Sequence, residues 1–196
     1  MLEVKDATIA VGGQVLATGL SFMARDGQMT CITGPEGCGK TTLLRTLMGF
    51  LPVSSGYVSV DGELLTVKSS QAFRRMMAYL PQQIQLLRHQ LEPPEAPVSK
   101  ADDYAVWGGG LSLKPVPETL PALLLPDEIL RLAAETLLQS ADKQIIIADE
   151  PAARLSTEQT MQMLALFRQQ AEAGKTVLIA SRKPQIVAEA QQVISL

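Results

Sequence analysis

Apolar and polar positions change rhythm along the chain, and each change marks an element. Two β-favouring blocks, Val4 to Val11 and Val15 to Met23, are parted by Gly12-Gly13-Gln14, which predicts a hairpin. Met29 to Thr33 is a short apolar run that ends at a glycine loop and reads as a buried strand. Leu43, Leu44, Leu47 and Met48 then recur at helical spacing, and Gly49 stops that helix. A second hairpin turns at Asp61-Gly62. A short helix over Ser69–Arg75 and a strand ending at Pro81 follow.

The second half alternates more regularly. A helix is expected from Asp127, with Asp127 itself as its cap. A strand over Gln144–Asp149 leads to a helix capped by Ser156 or Thr157, with Met161, Leu164 and Phe167 on its core face and Gly174 at its end. Thr176–Ser181, Pro184–Gln191 and Val193–Leu196 read as strand, helix and strand. Strands alternating with helices predict a largely parallel sheet covered on both faces. Between Leu86 and Pro126 the pattern breaks into a Pro- and Gly-rich stretch, expected to be a long irregular connection holding at most one short helix.

Composition narrows this picture. The chain has 196 residues, 46% apolar and 19% charged, which suits one globular domain with a substantial core. No apolar run is long enough for a membrane span, and the opening MLEVKDATIA has no apolar signal core, so a cytoplasmic location is expected. Cys31 and Cys38 make no disulfide framework, and a single histidine, His89, leaves no histidine-rich metal site. A net charge of −3 with scattered Lys and Arg makes nucleic acid a poor partner. The eight methionines are dispersed and read as core.

The chemistry is concentrated in two stretches. ITGPEGCGKTTLL, Ile32 to Leu44, follows a predicted strand and opens a predicted helix. Within it Gly34, Pro35, Glu36, Gly37, Cys38, Gly39, Lys40 and Thr41 fit the phosphate-loop pattern GxxxxGK[ST], and Thr42 directly after them is a further candidate for the phosphates. Glycines let successive backbone N–H groups converge on phosphate oxygens, and the helix start adds its positive end. Lys40 brings a full charge to the terminal phosphates, and Thr41 a hydroxyl for Mg²⁺. The second stretch, IIIADEP, ends a predicted strand with Asp149 and Glu150, placed for the metal side and for polarising a water.

Together these stretches resemble the nucleotide-binding subunit of ATP-binding cassette (ABC) transporters. The resemblance runs on through GLSFMARDGQMTC, PVSSGYVSVDG, MAYLPQ and TVLIAS, and covers most of the chain. It implies an α/β P-loop NTPase: a mainly parallel sheet flanked by helices, with an N-terminal antiparallel β subdomain. A shortened helical subdomain over about 86–140 would complete a single domain spanning 1–196. It implies ATP and Mg²⁺ as ligands, with the loop residues and Thr41 holding phosphate and metal. Gln82 would sense metal and attacking water, Asp149 would sit beside the metal, and Glu150 would act as general base. Its partners would be transmembrane permease subunits and a second cassette, identical or not, on the inner face of the membrane. The activity implied is an ATPase, expected to be weak in isolation because of the departures from the family described next. An alternative of another class is a non-hydrolysing regulatory module paired with a complete sister cassette.

Several positions depart from the family. Counting back from Asp149, the signature motif LSGGQ falls on Leu125-Pro126-Asp127-Glu128-Ile129, of which only the leucine agrees. Pro126 lacks an N–H, and Asp127 and Glu128 would face a partner's phosphate with like charge. The switch histidine is Arg182, which can reach a phosphate but cannot pass a proton; a plain surface arginine is the equal alternative. The adenine-stacking aromatic falls near Val11, and the closing acid after Glu150 is Ser156. Glu36 stands where the family tends to have a small neutral residue and is expected to point outward. Trp107, in WGGGLSL, either anchors the middle segment or faces a partner.

Overall fold

A computed structural model of the chain describes residues 1–83 and 125–196. Nearly all of the expected irregular connection, 86–124, with His89, Trp107 and the glycines of WGGGLSL, lies outside these residues.

The first half opens with β1 (Leu2–Val11), β2 (Gln14–Ala24) and β3 (Met29–Thr33), then α1 (Lys40–Leu47), β4 (Ser55–Val60) and β5 (Glu63–Leu64). It closes with α2 (Ser70–Arg75) and β6 (Met77–Leu80). The second half holds α3 (Pro126–Gln139), β7 (Ile145–Asp149), α4 (Thr157–Glu172), β8 (Thr176–Ala180), α5 (Pro184–Glu189) and β9 (Gln192–Ser195). A four-stranded antiparallel sheet is ordered β2-β1-β4-β5, and a five-stranded parallel sheet β6-β7-β8-β3-β9. The fold is the expected α/β arrangement.

Both expected hairpins form. Asp61 (φ 50°) and Gly62 (φ 83°) make the tight turn between β4 and β5. In β1 the register with β2 shifts three times, beginning around Asp6, whose N–H donates to Ser21 Oγ at 2.8 Å. Gly56 lies against this irregularity so closely that a Cβ there would meet Lys5 O at 2.3 Å. Only glycine fits.

The parallel strands are apolar on both faces because both are covered. On β7, Ile146 and Ala148 pack with α3 and α4, whereas Ile145 and Ile147 pack with α1 and the antiparallel sheet. Val177 and Ile179 of β8 face the first side, and Leu178 and Ala180 the second. This two-sided burial pins the strand ends, and therefore the residues just beyond them. Among the described residues no helix is long and apolar enough to cross a membrane.

Two local expectations are corrected. Met161 is 42% exposed, and the buried stripe of α4 is Thr160, Met163, Leu164, Phe167 and Ala171. A helix advances about 100° per residue, so Met161 falls outside the stripe through Thr160, Leu164 and Phe167. Asp127 is not a cap: α3 begins at Pro126, with Leu125 as the extended residue before it (φ −67°, ψ 153°). Proline restricts the residue before it to extended backbone and suits the first helical position itself.

Candidate functional site

The C-terminal ends of β3 and β7 lie in one sheet with β8 between them, and the site is built where the chain leaves these strands. After β3 the loop from Gly34 curls back on itself. Lys40, buried at the start of α1, donates from Nζ to Gly34 O at 2.9 Å and Pro35 O at 3.0 Å. Gly39 adopts φ 101° at the N-cap, and a Cβ there would meet Leu16 Cδ1 at 3.0 Å. No side chain caps α1, and its first turn contains no acid. Among the described residues its first N–H groups thus meet no capping side chain, and its positive end borders the cavity lined by Gly39, Lys40, Thr41 and Thr42.

Beyond β7, Glu150 turns the chain sharply in the left-handed region, φ 45°, with its N–H donating to Ala180 O at 2.8 Å. That conformation costs a non-glycine residue about 1–2 kcal/mol, and it places the carboxylate inside. Glu150 Oε1 lies 3.6 Å from Lys40 Nζ and 3.6 Å from Arg182 Nε. Asp149, one residue earlier, accepts from Thr41 Oγ1 at 2.7 Å.

These groups surround a cavity of about 250 Å³ lined by Glu36, Gly37, Gly39, Lys40, Thr41, Thr42, Gln82, Asp149, Glu150 and Arg182. Of the candidate residues, Gly34, Pro35 and Cys38 stay out of the lining. Gly34 and Pro35 turn carbonyls to Lys40, and Cys38 Sγ is 4.0 Å from its Nζ. A larger hollow of about 470 Å³ around Phe50, Val53, Leu65, Val67 and Arg74 is mainly apolar and shares no residue with this cavity.

Asp149 carries the clearest electrostatic signal. It is 1% exposed, and among the described residues its Oδ1 meets no partner in good hydrogen-bond geometry, the Tyr79 hydroxyl being the polar group beside the carboxylate. Burial raises its pKa above the usual carboxylate range, only partly countered by the Thr41 bond, and the Glu150 charge adds to the rise. Burial likewise pushes the Tyr79 hydroxyl up to about 12, with Asp149's charge contributing. A buried carboxylate with one oxygen short of a partner suits a bound cation. No group of three His, Cys, Asp or Glu side chains among the described residues would hold a metal unaided. Thr41, Asp149 and Gln82 can supply part of an octahedral set for Mg²⁺, which ordinarily completes its shell with phosphate oxygens and water. The residues therefore fit a magnesium–phosphate ligand.

The sign of the Asp149 shift sets how stability depends on pH. Because its pKa is raised in the folded state, its contribution is full below the ordinary carboxylate pKa and is lost as pH rises through the raised value. At neutral pH its ionisation therefore costs stability. Asp149→Asn should raise the Tm of the nucleotide-free protein at pH 7.5, by about 2–4 °C for each kcal/mol relieved, with no gain at pH 3.5. It should also abolish the extra Tm shift that Mg²⁺ adds to ATP. Thermal melts at the two pH values, with and without Mg-ATP, check both halves.

The segment at the family's signature position is occupied differently. Glu128 Oε2 accepts from Leu125 N at 2.8 Å, closing the start of α3 with the chain's own carboxylate. Asp127 Oδ1 accepts from Gln159 Nε2 at 3.1 Å. Ile129 is 5% exposed in the core. Val11, near the expected stacking position, is 45% exposed at the end of β1.

The sequence profile of the ABC transporter family matches residues 17–179. The chain belongs to the ABC transporter family. It is an ATP-binding cassette, and the loop and cavity just described lie largely in the part the profile covers. Among curated relatives, the hemin import ATP-binding protein HmuV of Methylobacillus flagellatus is 28% identical, over 92% of this chain and 73% of the relative. The macrolide export ATP-binding/permease protein MacB of Shigella sonnei is 26% identical, over 100% of this chain and 33% of the relative. The cassette thus spans about three quarters of one relative and a third of the other. A dimeric bacterial ABC transporter cassette superposes with a TM-score of 0.66 at 17% identity, covering 100% of this chain and 94% of that one. An ATP-bound bacterial Atm1-family exporter gives 0.68 at 19%, covering 100% and 37%. At such identities these structures speak for the fold. The relatives' names concern transport, and they give no support to the regulatory-module alternative.

One feature of the cassette escaped sequence reasoning. Arg182 Nη1 holds Glu36 Oε2 at 3.1 Å, joining the loop after β8 to the phosphate loop. Glu36 is exposed, as expected, yet it is paired. The signal was available: two departures from the family pattern, one acidic and one basic, at positions that both flank a phosphate pocket.

Proposed function

We propose that this cassette energises transport across a membrane from its cytoplasmic face, together with membrane-spanning partner subunits and a second cassette that carries the intact signature. The relatives named for import and export support the first part of this reading. The contrast between two helix starts supports the second. The start of α1 is uncapped and free of acid, ready for the phosphates of the chain's own ATP. The start of α3 has Asp127 and Glu128 in its first turn and a proline at its first position, so it has little left to give an ATP held across a dimer.

In this reading Lys40 and the loop N–H groups grip the phosphates, and Thr41, Asp149 and Gln82 hold Mg²⁺. The metal would neutralise developing charge on the phosphate oxygens. Glu150, buried between two cations, is the carboxylate placed to accept a proton from an attacking water. One composite site, this chain's loop closed by a partner's signature, is complete. The other is not.

The test is a graft guided by the structure. Pro126→Ser, Asp127→Gly and Glu128→Gly restore donors, while Ile129 stays, because a glutamine at this core position would bury an unpaired amide. The purified wild-type chain alone should release phosphate well below the roughly 1 per second at the low end of ordinary enzymes. The graft, in a Glu150→Gln background that cannot turn over, should form ATP-dependent dimers where Glu150→Gln alone does not. Sedimentation with and without Mg-ATP reads this directly. Tight ATP-dependent dimers of Glu150→Gln without the graft would show that α3 is no obstacle to closure.

A further inference from the structure

Four side chains of alternating charge run across the mouth of the cavity: Glu36, Arg182, Glu150 and Lys40. The contacts are 3.1 Å from Glu36 to Arg182, 3.6 Å from Arg182 to Glu150, and 3.6 Å from Glu150 to Lys40. The backbone N–H of Arg182 also donates to Glu150 Oε2 at 3.4 Å. The two ends of this chain of charges differ sharply. Glu150 is 10% exposed and fixed by its neighbours, whereas the Glu36 side chain is 86% exposed and meets Arg182 from the solvent side. Arg182 is 51% exposed and lines the same cavity as Lys40 and Thr41.

We propose that Glu36 acts as a built-in substitute for the terminal phosphate of ATP, and that Arg182, by exchanging Glu36 for that phosphate, makes the cassette prefer triphosphate over diphosphate. This rests on the nucleotide-site reading above. An exposed ion pair is weak, so Glu36 is a holder that a more highly charged anion displaces. A guanidinium has five donors in a planar fork and binds a phosphate through two of them, which makes the exchange favourable for a ligand that reaches it. A diphosphate leaves the outer end of the cavity to Glu36 and draws no such exchange. The arginine thus contributes a fixed charge and needs no proton transfer.

Calorimetry with a non-hydrolysable ATP analogue and with ADP, Mg²⁺ present, on the wild type, Glu36→Gln, Arg182→Ala and the double variant tests this while leaving Glu150 in place. Both sites are at the surface, and unchanged far-UV dichroism serves as the folding control. Arg182→Ala should weaken ATP about tenfold or more, as loss of a charged hydrogen bond does, and ADP little. Glu36→Gln should tighten ATP by up to about fivefold, the span of a surface ion pair, and leave ADP within about twofold. In the Arg182→Ala background the Glu36→Gln gain should disappear, because the pair acts as a unit. Equal effects on ATP and ADP, or a Glu36→Gln gain that persists without Arg182, would reduce Glu36 to general repulsion and overturn the exchange. Failure of the wild type to bind either nucleotide would instead overturn the site reading on which the proposal stands.

Discussion

Lys40→Ala should lower ATP affinity at least about a hundredfold while leaving the secondary structure unchanged. The lysine is 7% exposed and holds two loop carbonyls, so it is already aimed inward before any ligand arrives. Each charge-assisted bond to a phosphate is worth about 1.5–3 kcal/mol, and Lys40 would make more than one. A structural cost accompanies the change. Glu150 loses one of its two cationic neighbours, and a buried carboxylate short of a partner is costly. The Tm of the nucleotide-free protein should therefore fall by a few degrees, consistent with about 1 kcal/mol. Calorimetry with Mg-ATP reads the binding, and far-UV dichroism the fold. Undiminished ATP binding by the variant would remove the phosphate loop from the mechanism.

Glu150→Gln should leave ATP binding intact, or tighten it, while cutting turnover. The amide keeps the shape of the carboxylate but cannot take a proton, and general-base catalysis is worth about 10²–10⁴-fold. Losing one negative charge near the terminal phosphate also removes repulsion, which is why affinity should not suffer. The geometry explains why no other nearby group substitutes. Among the residues lining the cavity, Asp149 accepts from Thr41 through one oxygen and would give the other to Mg²⁺, and Glu36 lies at the solvent end against Arg182. The rate must be measured where closure is possible, with the Ser-Gly-Gly graft or with a partner cassette carrying LSGGQ. Phosphate release from each, with Glu150 retained and with the Glu150→Gln change, gives the ratio. A variant turning over within about threefold of its parent, against the loss general-base removal brings, would assign the base elsewhere.

The departures from the family pattern change meaning once they are placed in space. Asp127 and Glu128, read along the sequence, are two negative charges aimed at a partner's phosphate. In the structure each has a partner in its own chain, Gln159 and the N–H of Leu125. The helix start is withdrawn from outside use as much as it is made repulsive. Ile129, counted as the last residue of a lost motif, is a core residue, so restoring that motif in full would harm the fold.

What the amino-acid order alone determined here is what depends on local chemistry. Gly-rich turns, the Gly34–Thr41 spacing, the Asp61-Gly62 hairpin and the apolar runs of β3, β7 and β8 were legible because turn geometry and strand burial are written in neighbouring residues. The loop, Lys40, Asp149 and Glu150 were legible for the same reason. Periodicity misplaced Met161 because a helical stripe drifts, and which residue lies inside is set by the sheet it meets. Nothing local could state that Asp149 is buried with one oxygen short of a partner among the described residues, since that depends on the packing of β6, β7 and α1 around it. Nor could it join Glu36 to Arg182, 146 positions apart. Long-range pairing of charge is decided by how parallel strands stack their loops at one end of a sheet, and only the tertiary structure brings those loops together.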